Sequence, residues 1–84
     1  MNKIFFQNDI CTCEIADDVF EDELCIHIML TKPYNQLQIE ERNSVTIAMH
    51  ESEIELRKYD VFKFAVEFTN FEDHITIAGW KEED

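Results

Sequence analysis

The sequence predicts a mainly antiparallel β fold (a small sheet, sandwich or partly closed barrel), with an α+β arrangement carrying one short helix near residues 52–60 as the alternative. Three observations predict it. Apolar residues recur with period two along most of the chain, the signature of half-buried strands. There is one Gly and one Pro, so the breaks between these runs fall to Asn and Asp, residues that build turns through their own side chains. The hydrophobic share of 45%, with seven Phe, two Tyr and one Trp, supplies one core and argues against disorder. At 84 residues the chain is read as a single small acidic domain, 1–84.

In chain order, the first candidate strand lies near residues 10–15, after a turn at Asn8-Asp9, with Cys11, Cys13 and Ile15 on its core face. LCIHIML follows a turn at Asp17-Asp18. It sets Leu24, Ile26, Ile28 and Leu30 against Cys25, His27 and Met29. Turns are expected around Pro33-Tyr34-Asn35 and at Arg42-Asn43, and between them and the next break SVTIAM alternates Val45, Ile47 and Met49 with Ser44, Thr46 and Ala48. ESEIELRKYD reads two ways. Ser52 followed by Glu55 fits a capping box, whereas Ile54 and Leu56 alternate with Glu53, Glu55 and Arg57 in phase with the run beyond. The alternation favours a bent or bulged strand. VFKFAVEF places Phe62, Phe64, Val66 and Phe68 in one row, expected in the core, against Val61, Lys63, Ala65 and Glu67. TNFED then reads as a hairpin loop, with a turn at Thr69-Asn70, leading into HITIAGW, where Ile75 and Ile77 oppose His74, Thr76 and Trp80.

The charge balance narrows the partners. Nineteen acids against seven Lys and Arg give a net charge of −12, which makes nucleic acid and anionic membranes poor partners and basic protein surfaces good ones. No apolar run approaches the length of a membrane span, and IFFQ is too short for the core of a signal peptide. Three cysteines do not make a disulfide framework, so a reducing cytoplasm is the expected location.

The acids are concentrated. EIADDVFEDE, residues 14–23, holds six carboxylates, and residues 4–31 contain no Lys or Arg. Glu14, Asp17, Asp18, Glu21, Asp22 and Glu23 are expected to gather at one end of the first hairpin. Glu51, Glu53 and Glu55, if on a strand, would form a second row along one face. Strand positions i and i+2 lie roughly 6.7 Å apart and neighbouring strands about 4.8 Å. Two such rows are sparser than duplex phosphates, which carry one charge per roughly 1.7 Å of axis, yet dense enough to occupy a phosphate-binding groove. The expected function is therefore a non-enzymatic acidic inhibitor or immunity-type protein. It would bind the basic site of a nuclease, toxin, restriction enzyme or CRISPR effector by charge complementarity or DNA mimicry, as an anti-restriction or anti-CRISPR protein would. Tyr34, beside the only Pro, and Trp80 are the candidate aromatic anchors. The second function considered is a self-associating structural or adaptor domain, with a homodimer as partner and the acids serving solubility. The apolar outer positions Cys25, Met29, Val61 and Ala65 suggest it.

Other chemistries fit less well, and no cofactor is expected. DDVFEDELCIHI lacks the Gly at position six and the Glu at position twelve of a calcium loop. Cys11, Cys13, Cys25 and His27 have the donor types of a Cys₃His zinc site, but the two pairs are on opposite parity, so no metal ligands are assigned. His27, His50 and His74 stand apart from any nucleophile. The single Gly79 excludes a glycine-rich phosphate loop, and no catalytic residue is assigned.

Overall fold

The computed structural model describes residues 2–16 and 23–81. Their elements are β1 (Asn2–Gln7), β2 (Cys11–Ala16), β3 (Glu23–Leu30), a 3₁₀ turn (Tyr34–Gln36), α1 (Ile39–Arg57), β4 (Lys63–Phe68) and β5 (His74–Trp80). The strands form a single antiparallel sheet in the order β1-β2-β3-β5-β4. Since β3 and β4 are both antiparallel to β5, they run parallel to each other, and α1 makes the crossover between them. The mainly antiparallel fold with one helix is as the sequence predicts.

The core lies between α1 and one face of the sheet. Register puts Cys13, Ile28 and Ile75 in one cross-strand row and Ile15, Ile26 and Ile77 in the next. All six are buried. The β-branched side chains suit a pleated surface, and their alternation in sequence becomes a continuous apolar block in space. Against it α1 presents Val45, Ala48, Ser52 and Leu56, spaced three, four and four residues apart. Ala48 and Ser52 are small, which lets the helix backbone approach: the Cys13 thiol reaches the Ala48 carbonyl at 4.0 Å and the Cys11 thiol the Ser44 carbonyl at 4.0 Å. The buried Ser52 hydroxyl donates to the Ala48 carbonyl at 2.8 Å, so no polar group is stranded there.

Both helix ends are closed locally. At the start, the Gln38 backbone N–H donates to Glu41 Oε1 at 2.9 Å, and the Gln38 side chain accepts from the Glu41 backbone N–H, completing a capping box. That backbone bond, with the Lys32 ammonium 2.8 Å from Glu41 Oε2, holds the Glu41 carboxyl below its ordinary range. At the other end, Val61 N–H bonds to the Leu56 carbonyl and Asp60 N–H to that of Arg57, while Asp60 takes φ 62°. This is the Schellman closure, with Asp in the left-handed position that Gly more often fills. It folds Val61 back against Leu56, and both side chains rest on Gly79 of β5. Asn8 fixes the β1–β2 connection. Its Oδ1 accepts from the backbone N–H groups of Ile10 and Cys11, and its Nδ2 donates to the Ser44 carbonyl on the helix.

Several expectations are corrected. SVTIAM lies within α1 rather than forming a strand, and Arg42-Asn43 is helical rather than a turn. The helix spans 39–57, not 52–60, and Ser52 sits in its interior instead of capping it. The period-two reading failed because the residues that face the core, Ala48 and Ser52, are too small or polar to register as apolar, whereas Ile47 is half exposed and Ile54 faces solvent. Residues 2–7 form an edge strand that was not predicted. The Phe62 row is not core: Phe62 and Phe68 are exposed, Val66 likewise, and Phe64 half-buried. β4 is the far edge strand, while α1 contacts β1, β2 and β3. Val61, expected on an outer face, is buried beneath the helix end.

The contact at Gly79 makes a direct test. A Cβ there would lie 2.6 Å from Val61 Cγ1 and 3.3 Å from Leu56 Cδ2. Gly79→Ala is expected to destabilise the fold by about 1–3 kcal/mol through overpacking, read from the urea unfolding midpoint. An unchanged midpoint would show that the helix end is not seated on β5.

Candidate functional site

The second face of the sheet is covered by no element among the described residues. Its outward side chains follow from register. One row crosses the sheet as Ile4, Glu14, His27, Thr76 and Glu67; the next runs as Cys25, Ala78 and Ala65; the last as Glu23, Trp80 and Lys63. On the other side of the His27 row lie Thr12, Met29 and His74. Among the described residues the middle of this face is therefore uncharged, and its carboxylates, Glu14, Glu23 and Glu67, stand toward the flanks and the end.

At the centre, His27 Nδ1 and His74 Nε2 are 3.1 Å apart, with the rings edge to face at 5.2 Å between centroids. One of the two nitrogens carries the hydrogen and the other accepts it, and the tautomers decide which. Glu14 accepts from Asn2 Nδ2 at 3.4 Å, and Glu23 Oε1 accepts from the Cys25 thiol at 3.8 Å. Trp80 ends β5, exposed at 40%, between Glu23 and Lys63 in register.

The other predicted site residues separate. Glu51, Glu53 and Glu55 lie on α1, on the opposite layer from Glu14 and Glu23, so the expected strand row of carboxylates does not exist. Glu51 and Glu55 are one helical turn apart, whereas Glu53 projects from the other side of the axis. Glu55 pairs with Lys58 at 3.1 Å. Tyr34 stacks edge to face on Phe68 at 5.4 Å, and the Arg42 guanidinium lies 5.0 Å over its ring, so it joins the 3₁₀ turn to β4 and to the helix. Asp17, Asp18, Glu21 and Asp22 lie outside the described residues; in sequence they connect Ala16 of β2 to Glu23 of β3. His74, Thr76, Ala78 and Glu67 belong to the same face and were not singled out from sequence. For the three on β5, parity opposite Ile75 and Ile77 was legible, but adjacency to β3 was not, because β3 and β5 are remote in the chain.

The sheet also separates the cysteines. Cys11 and Cys13 face α1, while Cys25 and His27 face outward, so the four cannot converge on one ion. Among the described residues no group of three His, Cys, Asp or Glu is placed to hold a metal. Burial pushes the Cys11 and Cys13 thiols up to about 11, helped at Cys11 by Cys13 and at Cys13 by Glu51. Cys25 is raised by burial and by Glu23. No described helix is long and apolar enough to cross a membrane.

Compared with protein families, curated proteins and solved structures, the chain matches none.

The thiols give the next prediction. The native protein is expected to react with a thiol reagent at Cys25 first, with Cys11 and Cys13 labelled only on unfolding. Both buried thiols ionise later folded than unfolded. Their stabilising contribution is thus complete below pH 9 and is lost as pH rises from about 9 to about 11. The urea midpoint should fall across that window, and fall less steeply in a Cys11→Ala/Cys13→Ala variant.

Proposed function

We propose that this chain is a non-enzymatic acidic inhibitor that docks on the basic site of a nucleic-acid-acting protein, such as a nuclease, toxin, restriction enzyme or CRISPR effector. The observation that carries this reading is the open face of the sheet in a chain of net charge −12. A solvated sheet face ordinarily carries charged and long polar residues at its middle. Here the middle is Cys25, His27, Met29, His74, Thr76 and Ala78, and three acids, Glu14, Glu23 and Glu67, stand around it with one cation, Lys63. An uncharged centre within a polar rim is the anatomy of a protein-binding surface. Carboxylates at that rim favour a basic partner and speed its arrival, with a salt-sensitive association rate. In sequence, four more acids, Asp17, Asp18, Glu21 and Asp22, lie between β2 and β3. Trp80 supplies an aromatic side chain on the same face, suited to anchoring.

On this reading the two acidic sets contribute unequally. The reversal Glu14→Lys/Glu23→Lys/Glu67→Lys is expected to abolish binding, whereas Glu51→Lys/Glu53→Lys, on the helix layer, weakens it slightly. The check is a pull-down from the native cell's lysate with each variant, in the presence and absence of excess duplex DNA. Specific recovery of a basic nucleic-acid enzyme that DNA displaces is the expected result. Equal recovery by the sheet-face variant and the parent protein would sink the proposal.

A further inference from the structure

The two edges of the sheet are unlike. At the β1 edge the register with β2 shifts between Ile4 and Phe6, and such a bulge blunts an edge against pairing. At the other edge β4 runs against β5 from Lys63 to Phe68 without a shift, and it contains neither Pro nor Gly. The helix-facing row of this strand is poorly covered. Val66 and Phe68 are 42% and 40% exposed, and Phe62 and Phe71 beside them reach 62% and 79%. A regular apolar strand at a sheet edge is a template for another strand.

Charge and register select what pairs with it. From Arg57 to Phe71 the chain carries three cations (Arg57, Lys58, Lys63) and two acids (Asp60, Glu67), a net +1 in a molecule of net −12. Two copies therefore meet here outside the acidic surplus. The hairpin bond from Thr69 N–H to the His74 carbonyl sets the phase of the β4–β5 ladder. Lys63, Ala65 and Glu67 direct their backbone groups toward β5, and Phe64, Val66 and Phe68 direct theirs outward. An antiparallel partner must therefore exchange bonds with these even-numbered residues. If the partner is a second β4 with the twofold axis at Ala65, Phe64 meets the second copy's Val66 in a hydrogen-bonded pair. Phe62 meets the second copy's Phe68 on the same face. On the opposite face Lys63 falls across from the second copy's Glu67, twice by symmetry, in the closer, non-hydrogen-bonded type of pair. The small Ala65 faces its own copy at the axis. The segment FKFAVEF is complementary to itself in charge, apolarity and hydrogen-bond phase at one register.

We infer that β4 pairs antiparallel with β4 of a second copy about a twofold axis at Ala65, joining the two five-stranded sheets into one. The pairing consumes the open edge of each copy and leaves only the bulged β1 edges outside, so it closes as a dimer rather than propagating. It leaves the centre of the outer sheet face accessible and does not depend on the inhibitor reading.

Sedimentation velocity over a concentration series tests it, with four proteins. The parent is expected to show a reversible monomer–dimer equilibrium. Lys63→Glu and Glu67→Lys each replace two attractive cross-strand pairs by two repulsive ones and are expected to weaken the dimer about tenfold. The double variant Lys63→Glu/Glu67→Lys restores opposite charges and should return to within about threefold of the parent. Mixing the two single variants should produce a heterodimer tighter than either homodimer. Lys63 also interacts within its own chain, but rescue in the mixture cannot come from a repaired fold, since each chain keeps its substitution. A parent monomeric at every concentration, or a dimer equally tight in all four proteins, would overturn the inference.

Discussion

The close approach of α1 to the sheet, through Ala48 and Ser52, is the constraint on which the other features rest. Larger residues there would lift the helix off the rows Cys13–Ile28–Ile75 and Ile15–Ile26–Ile77 and open voids along them. The close seat explains why Cys11 and Cys13 are buried and why the Ser52 hydroxyl turns back to its own helix. It also brings Ser44 within reach of Asn8. At the far end the same approach continues through Leu56 and Val61 onto Gly79, the one β5 position facing the helix where a side chain would be in the way.

A single helix cannot cover five strands, and its placement decides what is left open. α1 lies over β1, β2 and β3, so β4 keeps an exposed apolar row, with Tyr34 packed on Phe68 at its end. The other face of the sheet receives no layer from the described residues. The protein thus has two surfaces of different character: the apolar edge of β4, and an outer sheet face whose middle is uncharged, the two meeting at Lys63 and Glu67.

The acids follow this division. Of those on α1, Glu41 and Glu55 form local pairs with Lys32 and Lys58, and surface pairs of this kind contribute little to stability. Those on the sheet face, Glu14, Glu23 and Glu67, flank the His27–His74 pair. A net charge of −12 destabilises a compact chain by self-repulsion. Two of the acids, Asp60 and Glu41, hold the helix ends in shape.

Much of the fold was legible in the sequence because strand alternation is a local property. The faces of β2, β3 and β5 follow from CTCEIA, LCIHIML and HITIAGW read two residues at a time, and the β4–β5 hairpin from the loop between them. The acidic surplus and the opposite facing of the two cysteine pairs were also there to read. The helix was not. Its buried stripe uses Ala48 and Ser52, whose value lies in small size against a particular neighbour, and composition cannot express that. Strand order decided the rest. Inserting β5 between β3 and β4 brought His74 beside His27 and moved the phenylalanines of β4 from an expected core to an exposed edge. Alternation fixes which way a side chain points, but long-range pairing alone determines what stands opposite it.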